Sequence, residues 1–265
     1  MARAGAIDIG TNTVLFTVAE IGAAGQPFRV LEEHCDITRL GEGVDRTGRL
    51  SDGAVERTLV AVSRFVARAR ELGVSRLKAV ATAAVRVAEN GSRFVAVASD
   101  RLGVLVEVID GLREADLVAR ATSGDPALPS GTKVVFDVGG GSTELARIVS
   151  NEVVDRISLP IGAVRLTERF VDGERPSDGA VARIVECVND ALATVPRSIR
   201  RGAFSVVGVA GTVTTLVAVC AGLEPYDPTK VHGARLDRGE VDRQVNVYRE
   251  ASLSERRAMR GLAPG

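Results

Sequence analysis

With 265 residues, 34 Lys plus Arg against 34 Asp plus Glu, and 45% hydrophobic content, the sequence has a globular make-up and enough length for two domains. A net charge of zero offers no bulk field to gather a polyanion such as DNA, and 3% aromatics without tryptophan leave little stacking surface, so nucleic acid is not an expected partner. No segment approaches the roughly 18 uninterrupted apolar residues of a membrane span, and Met1 to Gly5 lack the apolar stretch of a secretory signal; the expected location is the cytoplasm, with no membrane partner.

In chain order, Ala6–Ile9 is an apolar run, Gly10-Thr11-Asn12 is turn-prone, and Thr13–Glu20 is rich in β-branched residues, which predicts a β-hairpin. Ser51 can N-cap a helix whose apolar positions Val55, Leu59, Val62, Val66 and Ala69 recur at three- and four-residue steps, ending near Gly73. Strand-like runs follow at Leu77–Ala81 and Val104–Ile109, then a short helix from about Leu112 to Thr122. Ser123 to Gly131 concentrate the strongest breakers, and the expected boundary falls there, giving lobes of residues 1–124 and 125–265. The second half repeats the first: the apolar run Lys133–Asp137, the turn Gly139 to Thr143, and a strand from Glu144. Ser177 caps a further helix and Phe204–Val209 is a buried strand, so two α/β lobes around a shared cleft are expected. Cys35, Cys187 and Cys220 are widely spaced and odd in number, and are read as buried thiols rather than disulfides or metal ligands.

Three loops have the composition needed where backbone must approach phosphate: Gly10-Thr11-Asn12-Thr13, Gly139-Gly140-Gly141-Ser142-Thr143, and the segment Gly208 to Thr215 with Gly211 and Thr212. None is a Walker A loop, because no Lys follows the last Gly. Asp8 and Asp137 end buried strands. Magnesium held through waters and one or two carboxylates would account for them, and so would capping of their own hairpin turns. Glu114, taken alone, is an acid favourably placed at a helix start.

Ile7 to Thr13, Ala81-Thr82-Ala83-Ala84-Val85-Arg86, Glu114-Ala115, Val135 to Glu144, Leu159 to Leu166, Gly208 to Thr212 and Val231-His232-Gly233 together resemble the exopolyphosphatase and guanosine pentaphosphate phosphohydrolase family, of the actin-like, sugar-kinase-like ATPase superfamily. The resemblance implies two duplicated actin-like (ribonuclease H-like) lobes. It also implies Mg2+-dependent hydrolysis of a terminal phosphoanhydride in inorganic polyphosphate or guanosine pentaphosphate, with a homodimer left open. It casts Glu114 as the general base for the attacking water, Arg86 as a phosphate contact, and Asp8, Asp137 and Glu144 as metal-associated. Arg93, Lys230 and His232 are secondary candidates for substrate contact. Two departures stand out. Asp110 and Arg113 replace a Ser and an acid of the family pattern, and the chain ends at Gly261 to Gly265 where relatives continue, so the second lobe is expected to lack its final segment. A phosphotransferase of the same fold and a non-catalytic polyphosphate or alarmone sensor are the alternatives, and phosphate release separates the hydrolase from the sensor.

Overall fold

A computed structural model describes residues 2–22 and 28–262. The chain divides into two compact units, Met1–Asp110 and Gly111–Gly265. The first contains β1 (Ala2–Ile9), β2 (Thr13–Ile21), β3 (Arg29–Ile37), α1 (Val44–Thr47), α2 (Asp52–Glu71), β4 (Arg76–Ala81), α3 (Ala83–Val87), α4 (Gly91–Leu102) and β5 (Val106–Val108). The second contains α5 (Gly111–Ser123), β6 (Lys133–Val138), β7 (Thr143–Val149), β8 (Glu152–Leu159), α6 (Ala163–Phe170), α7 (Asp178–Ala193), α8 (Arg197–Arg200), β9 (Ser205–Val209), α9 (Ala210–Cys220), α10 (Pro228–Val231), α11 (Arg238–Glu250) and α12 (Leu253–Arg257). No described helix is long and apolar enough to cross a membrane.

The internal repeat is real at the level of topology. The sheets run β3-β2-β1-β4-β5 and β8-β7-β6-β9, in each case an antiparallel meander followed by a parallel neighbour of its first strand. It extends to the turns, where Gly10 N–H donates to Thr13 O at 2.9 Å and Gly139 N–H to Ser142 O at 3.0 Å. It extends to the helices too: α2 and α7 open on the same five residues, Ser-Asp-Gly-Ala-Val, and Ser51 and Ser177 each accept a hydrogen bond from the backbone N–H three residues on. This mixed α/β pattern is the duplicated arrangement expected of the sequence.

In the first unit, Ile7, Ile9, Val14, Phe16 and Val18 alternate onto the sheet face covered by α2, where Phe16 and Phe65 stack with ring centroids 5.2 Å apart. In the second unit both faces of the sheet are buried. Val134, Leu159 and Ile161 pack towards α7 and α8, whereas Val135, Ala146 and Ile148 pack with Ala119 of α5.

That last contact revises the expected boundary. Helix α5 lies in the stretch assigned to the first lobe, yet it packs on β6, β7 and β8. Breakers at 123–131 mark a surface loop, and apolar contact decides membership. The helix is pinned by Lys133, which the pattern counted within an apolar run. Its side chain is buried, and Nζ donates to Thr122 O at 2.9 Å and Ser123 O at 3.2 Å, supplying donors and positive charge to the C-terminal carbonyls of α5. Lys133→Met should therefore cost about 1–3 kcal/mol by orphaning those carbonyls, read as a lowered midpoint of thermal unfolding; an unaltered midpoint would show that water replaces the ammonium.

The cysteine expectation needs correcting. Cys35 lies exposed on the edge strand β3, Cys220 is exposed at the end of α9, and Cys187 is half-buried. All three are free thiols, but none is sealed in a core.

Candidate active site

Strand alternation sets the site in the second unit. Lys133, Val135 and Asp137 share one face of β6, and Asp137 stands directly opposite Glu144, which in turn stands opposite Ser158 of β8. This is the face that α5 covers. Lys133 touches the last turn of α5 and Ala119 packs with Val135, so the helix runs back along β6 towards Asp137. Glu114 lies eight residues before Thr122, about 12 Å of helix, and Asp137 four residues beyond Lys133, about 13 Å of strand. The first turn of α5, which carries Glu114, thus lies towards the Asp137 end of the sheet. Glu144 is 2% exposed, and its Oε1 accepts the Ser158 hydroxyl at 2.6 Å.

The glycine loop Gly139–Thr143 projects from that end, held by its neighbours. Thr143 Oγ1 donates to Ile161 O at 2.7 Å; Ala163 and Arg165 N–H donate to Gly139 O and Gly140 O at 2.9 and 3.1 Å. Gly162 is there because nothing larger fits: a Cβ would stand 2.5 Å from Gly140 O and 2.6 Å from Gly141 N. The carbonyls of Gly139 and Gly140 are taken by α6, while the N–H groups of Gly140 and Gly141 donate to no backbone carbonyl among the described residues. Donors are thus left for an anion.

The third loop joins this one. Asp137 pairs with Val209 of β9, and Thr212 Oγ1 donates to Val138 O at 2.9 Å. Here the structure adds a helix that the sequence pattern did not show. Chain direction reverses through Ala210, held at φ 67°, straight into α9, whose N-cap Val209 offers no side-chain acceptor. A Cβ at Gly211 would meet nothing within 4 Å. An uncapped helix start with open space above it is a ready anion site. Helix α9 is braced by buried Gln244, which donates to Leu216 O at 2.7 Å and accepts from Tyr248 Oη. Gln244 also donates to Glu240, whose carboxyl is held down at about 2, chiefly by the hydrogen bond from Arg243.

The first unit carries the remaining candidates. Asp8 faces Leu15 and Val80 in the ladders, so Leu15 holds the place that Glu144 takes in the repeat. In the Gly10–Thr13 turn, Thr11 O accepts from Gly41 N at 2.8 Å, and Asn12 O accepts from Thr38 and Arg39 N–H. Arg86 follows from β4 through α3, and its Nη1 donates to Ile109 O at 2.7 Å, beside the start of α5. Of the lesser candidates, His232 Nε2 lies 3.0 Å from Asp125 Oδ2 and Lys230 3.8 Å from Asp227, while Arg93 is exposed on α4. Sequence reasoning passed over Asp116, buried on α5, whose Oδ2 receives Arg113 at 3.1 Å and Arg120 at 2.9 Å. Its spacing of three and four from those arginines was the available signal.

No group of three or more His, Cys, Asp and Glu side chains is gathered for a metal among the described residues. The opposed carboxylates Asp137 and Glu144 nevertheless suit a hard cation bound largely through waters and phosphate oxygens, which needs only one or two protein oxygens.

Comparison with known proteins gives a consistent picture. Over its full length the chain is 34% identical to exopolyphosphatase 2 of Mycobacterium tuberculosis, covering 85% of that protein. It superposes on the PPX-GPPA enzyme of Aquifex aeolicus with a TM-score of 0.80 at 35% identity, covering 99% of this chain and 86% of that one. An exopolyphosphatase from Cytophaga hutchinsonii superposes with a TM-score of 0.87 at 25% identity, over 98% of this chain and 84% of the other. Residues 17–264 match the Ppx/GppA phosphatase family, and with the two repeated units and their glycine loops the chain belongs to that family.

Proposed function

We propose that this chain is an exopolyphosphatase, releasing the terminal phosphate of inorganic polyphosphate by attack of water, and that guanosine pentaphosphate is a second substrate. What supports the reading is Asp137 opposite Glu144, with two glycine loops joined at that end of the second sheet and Glu114 on the helix that packs on the same sheet, in a chain 34% identical throughout to an exopolyphosphatase.

Phosphoryl transfer demands positioning and charge neutralisation more than covalent help. The amides of Gly140 and Gly141 and the first turn of α9 hold the terminal phosphate oxygens and leave the phosphorus open on one side. Glu114 takes a proton from water as its oxygen bonds to phosphorus; the bridging P–O bond breaks, giving orthophosphate and a chain shorter by one unit. Arg86 is assigned a phosphate-contacting role by the family resemblance. Asp137 and Glu144 would hold Mg2+, which supplies charge neutralisation on the phosphate oxygens when bound.

Orthophosphate release from short polyphosphate, long polyphosphate, guanosine pentaphosphate and ATP, each with Mg2+ or excess chelator, tests this. Release from polyphosphate with Mg2+, abolished by chelation, is the expected result. Tight polyphosphate binding with no orthophosphate released would overturn the hydrolase reading in favour of a sensor.

A further inference from the structure

Helix α6 starts on the glycine loop, where Ala163 and Arg165 N–H bond to Gly139 and Gly140, and runs away from it for eight residues. At its far end Phe170 is flanked by two guanidinium groups. The Arg169 Cζ lies 5.6 Å from the ring centroid, and the Cζ of Arg183, on α7, lies 5.9 Å from it. Both arginines are exposed, and neither forms an ion pair among the described residues, although Glu168 and Glu186 stand nearby in sequence. The contrast with the surroundings is direct, since Arg175 pairs with Glu255 at 3.2 Å and Arg249 with Asp178 at 2.7 Å.

Two guanidinium groups 5.6 Å and 5.9 Å from one ring centroid lie no farther apart than the sum of those distances. A linear polyanion passing both heads is attracted by each. The rings and helices hold both heads in place beforehand, so less side-chain freedom is lost on binding than at an ordinary surface arginine. Arg169 is six residues beyond Ala163, about 9 Å along the helix from the glycine loop. A terminal phosphate at the loop therefore leaves the next few units of a linear chain within reach of this pair.

We infer that Arg169 and Arg183, set on Phe170, form a distal subsite for the non-reacting part of a linear polyanion whose end sits at the Gly139–Thr143 loop. The inference rests on the proposed hydrolase reading. It assigns these arginines to substrate-length preference, because a short substrate ends before reaching them.

The test compares wild type with the Arg169→Gln/Arg183→Gln double variant on tripolyphosphate and on long-chain polyphosphate. The expected result is a ratio of long-chain to tripolyphosphate KM that rises about ten-fold, a long-chain KM less sensitive to added salt, and only partial restoration of the preference by Arg169→Lys/Arg183→Lys, which keeps the charge but not the planar head on the ring. An unchanged ratio, or an equal rise for both substrates, would overturn the subsite. Long-chain binding measured without turnover separates the two readings. If wild type releases no orthophosphate from either substrate, the hydrolase reading fails. Ten-fold weaker binding by the double variant still supports the subsite, and equal binding refutes it.

Discussion

Glu114→Gln should lower turnover by about 10²- to 10⁴-fold, the contribution of a positioned general base, while KM for polyphosphate stays close to that of the wild type. The substitution keeps the shape and removes the basicity. Glu114 occupies the first turn of α5, a helix whose far end is anchored by Lys133 and whose inner face packs on β6 to β8, so its position is set by packing rather than by its own charge. A carboxylate serving only the helix dipole would cost at most about 1 kcal/mol on neutralisation and leave the rate alone. Steady-state kinetics beside thermal unfolding distinguish the two roles. A folded Glu114→Gln protein with wild-type kcat would remove the residue from the chemistry.

The second large effect comes from a residue that contacts no substrate. In Gly162→Ala the new methyl group would overlap the Gly140 carbonyl and the Gly141 nitrogen, all backbone atoms, so the glycine loop must move. A displacement approaching 1 Å at a phosphate cradle is worth up to about 10²-fold in rate. The overpacking itself should cost about 1–3 kcal/mol, which is several degrees of melting temperature for a chain of this size. We expect kcat/KM to fall by roughly ten- to a hundred-fold. Gly53→Ala is the control: it lies in α2, where an added Cβ would meet only Arg57 Nη1, at 3.7 Å, and its kinetics should match wild type. If Gly162→Ala retained full activity, the position of the Gly139–Thr143 loop would not matter to catalysis.

Two strands illustrate why parts of this fold were hidden in the sequence. β3 and β8 lie at sheet edges and carry Glu32, Glu33 and His34, or Glu152, Asp155 and Arg156, so neither shows the apolar run that marked β1 and β6. Helix α9 was missed for the opposite reason. Ala210 to Cys220 hold no charged residue and little amphipathic period, and Val209 supplies no capping side chain, so both the body and the start of the helix lack a signal. Helix α5 was legible from its apolar spacing, and α2 and α7 from both a Ser cap and an apolar stripe.

Determined by the sequence alone were the duplication, the family resemblance and the residues worth naming. Asp8 and Asp137, the loops after them and the Ser-capped helices are local patterns, and a turn needing glycine or a strand ending in Asp is written within a few neighbouring residues. Tertiary structure alone decided which of those residues meet. Pairing across β6 and β7 sets Asp137 beside Glu144, the register with β9 brings Thr212 to Val138, and burial of Ala119 assigns α5, with Glu114, to the second sheet instead of the first. The same holds for Lys133, Gly162 and the Arg169–Phe170–Arg183 cluster, whose partners lie 10, 22 and 13 positions away. Such contacts depend on non-local packing and register, which neither a hydrophobic period nor a capping residue encodes.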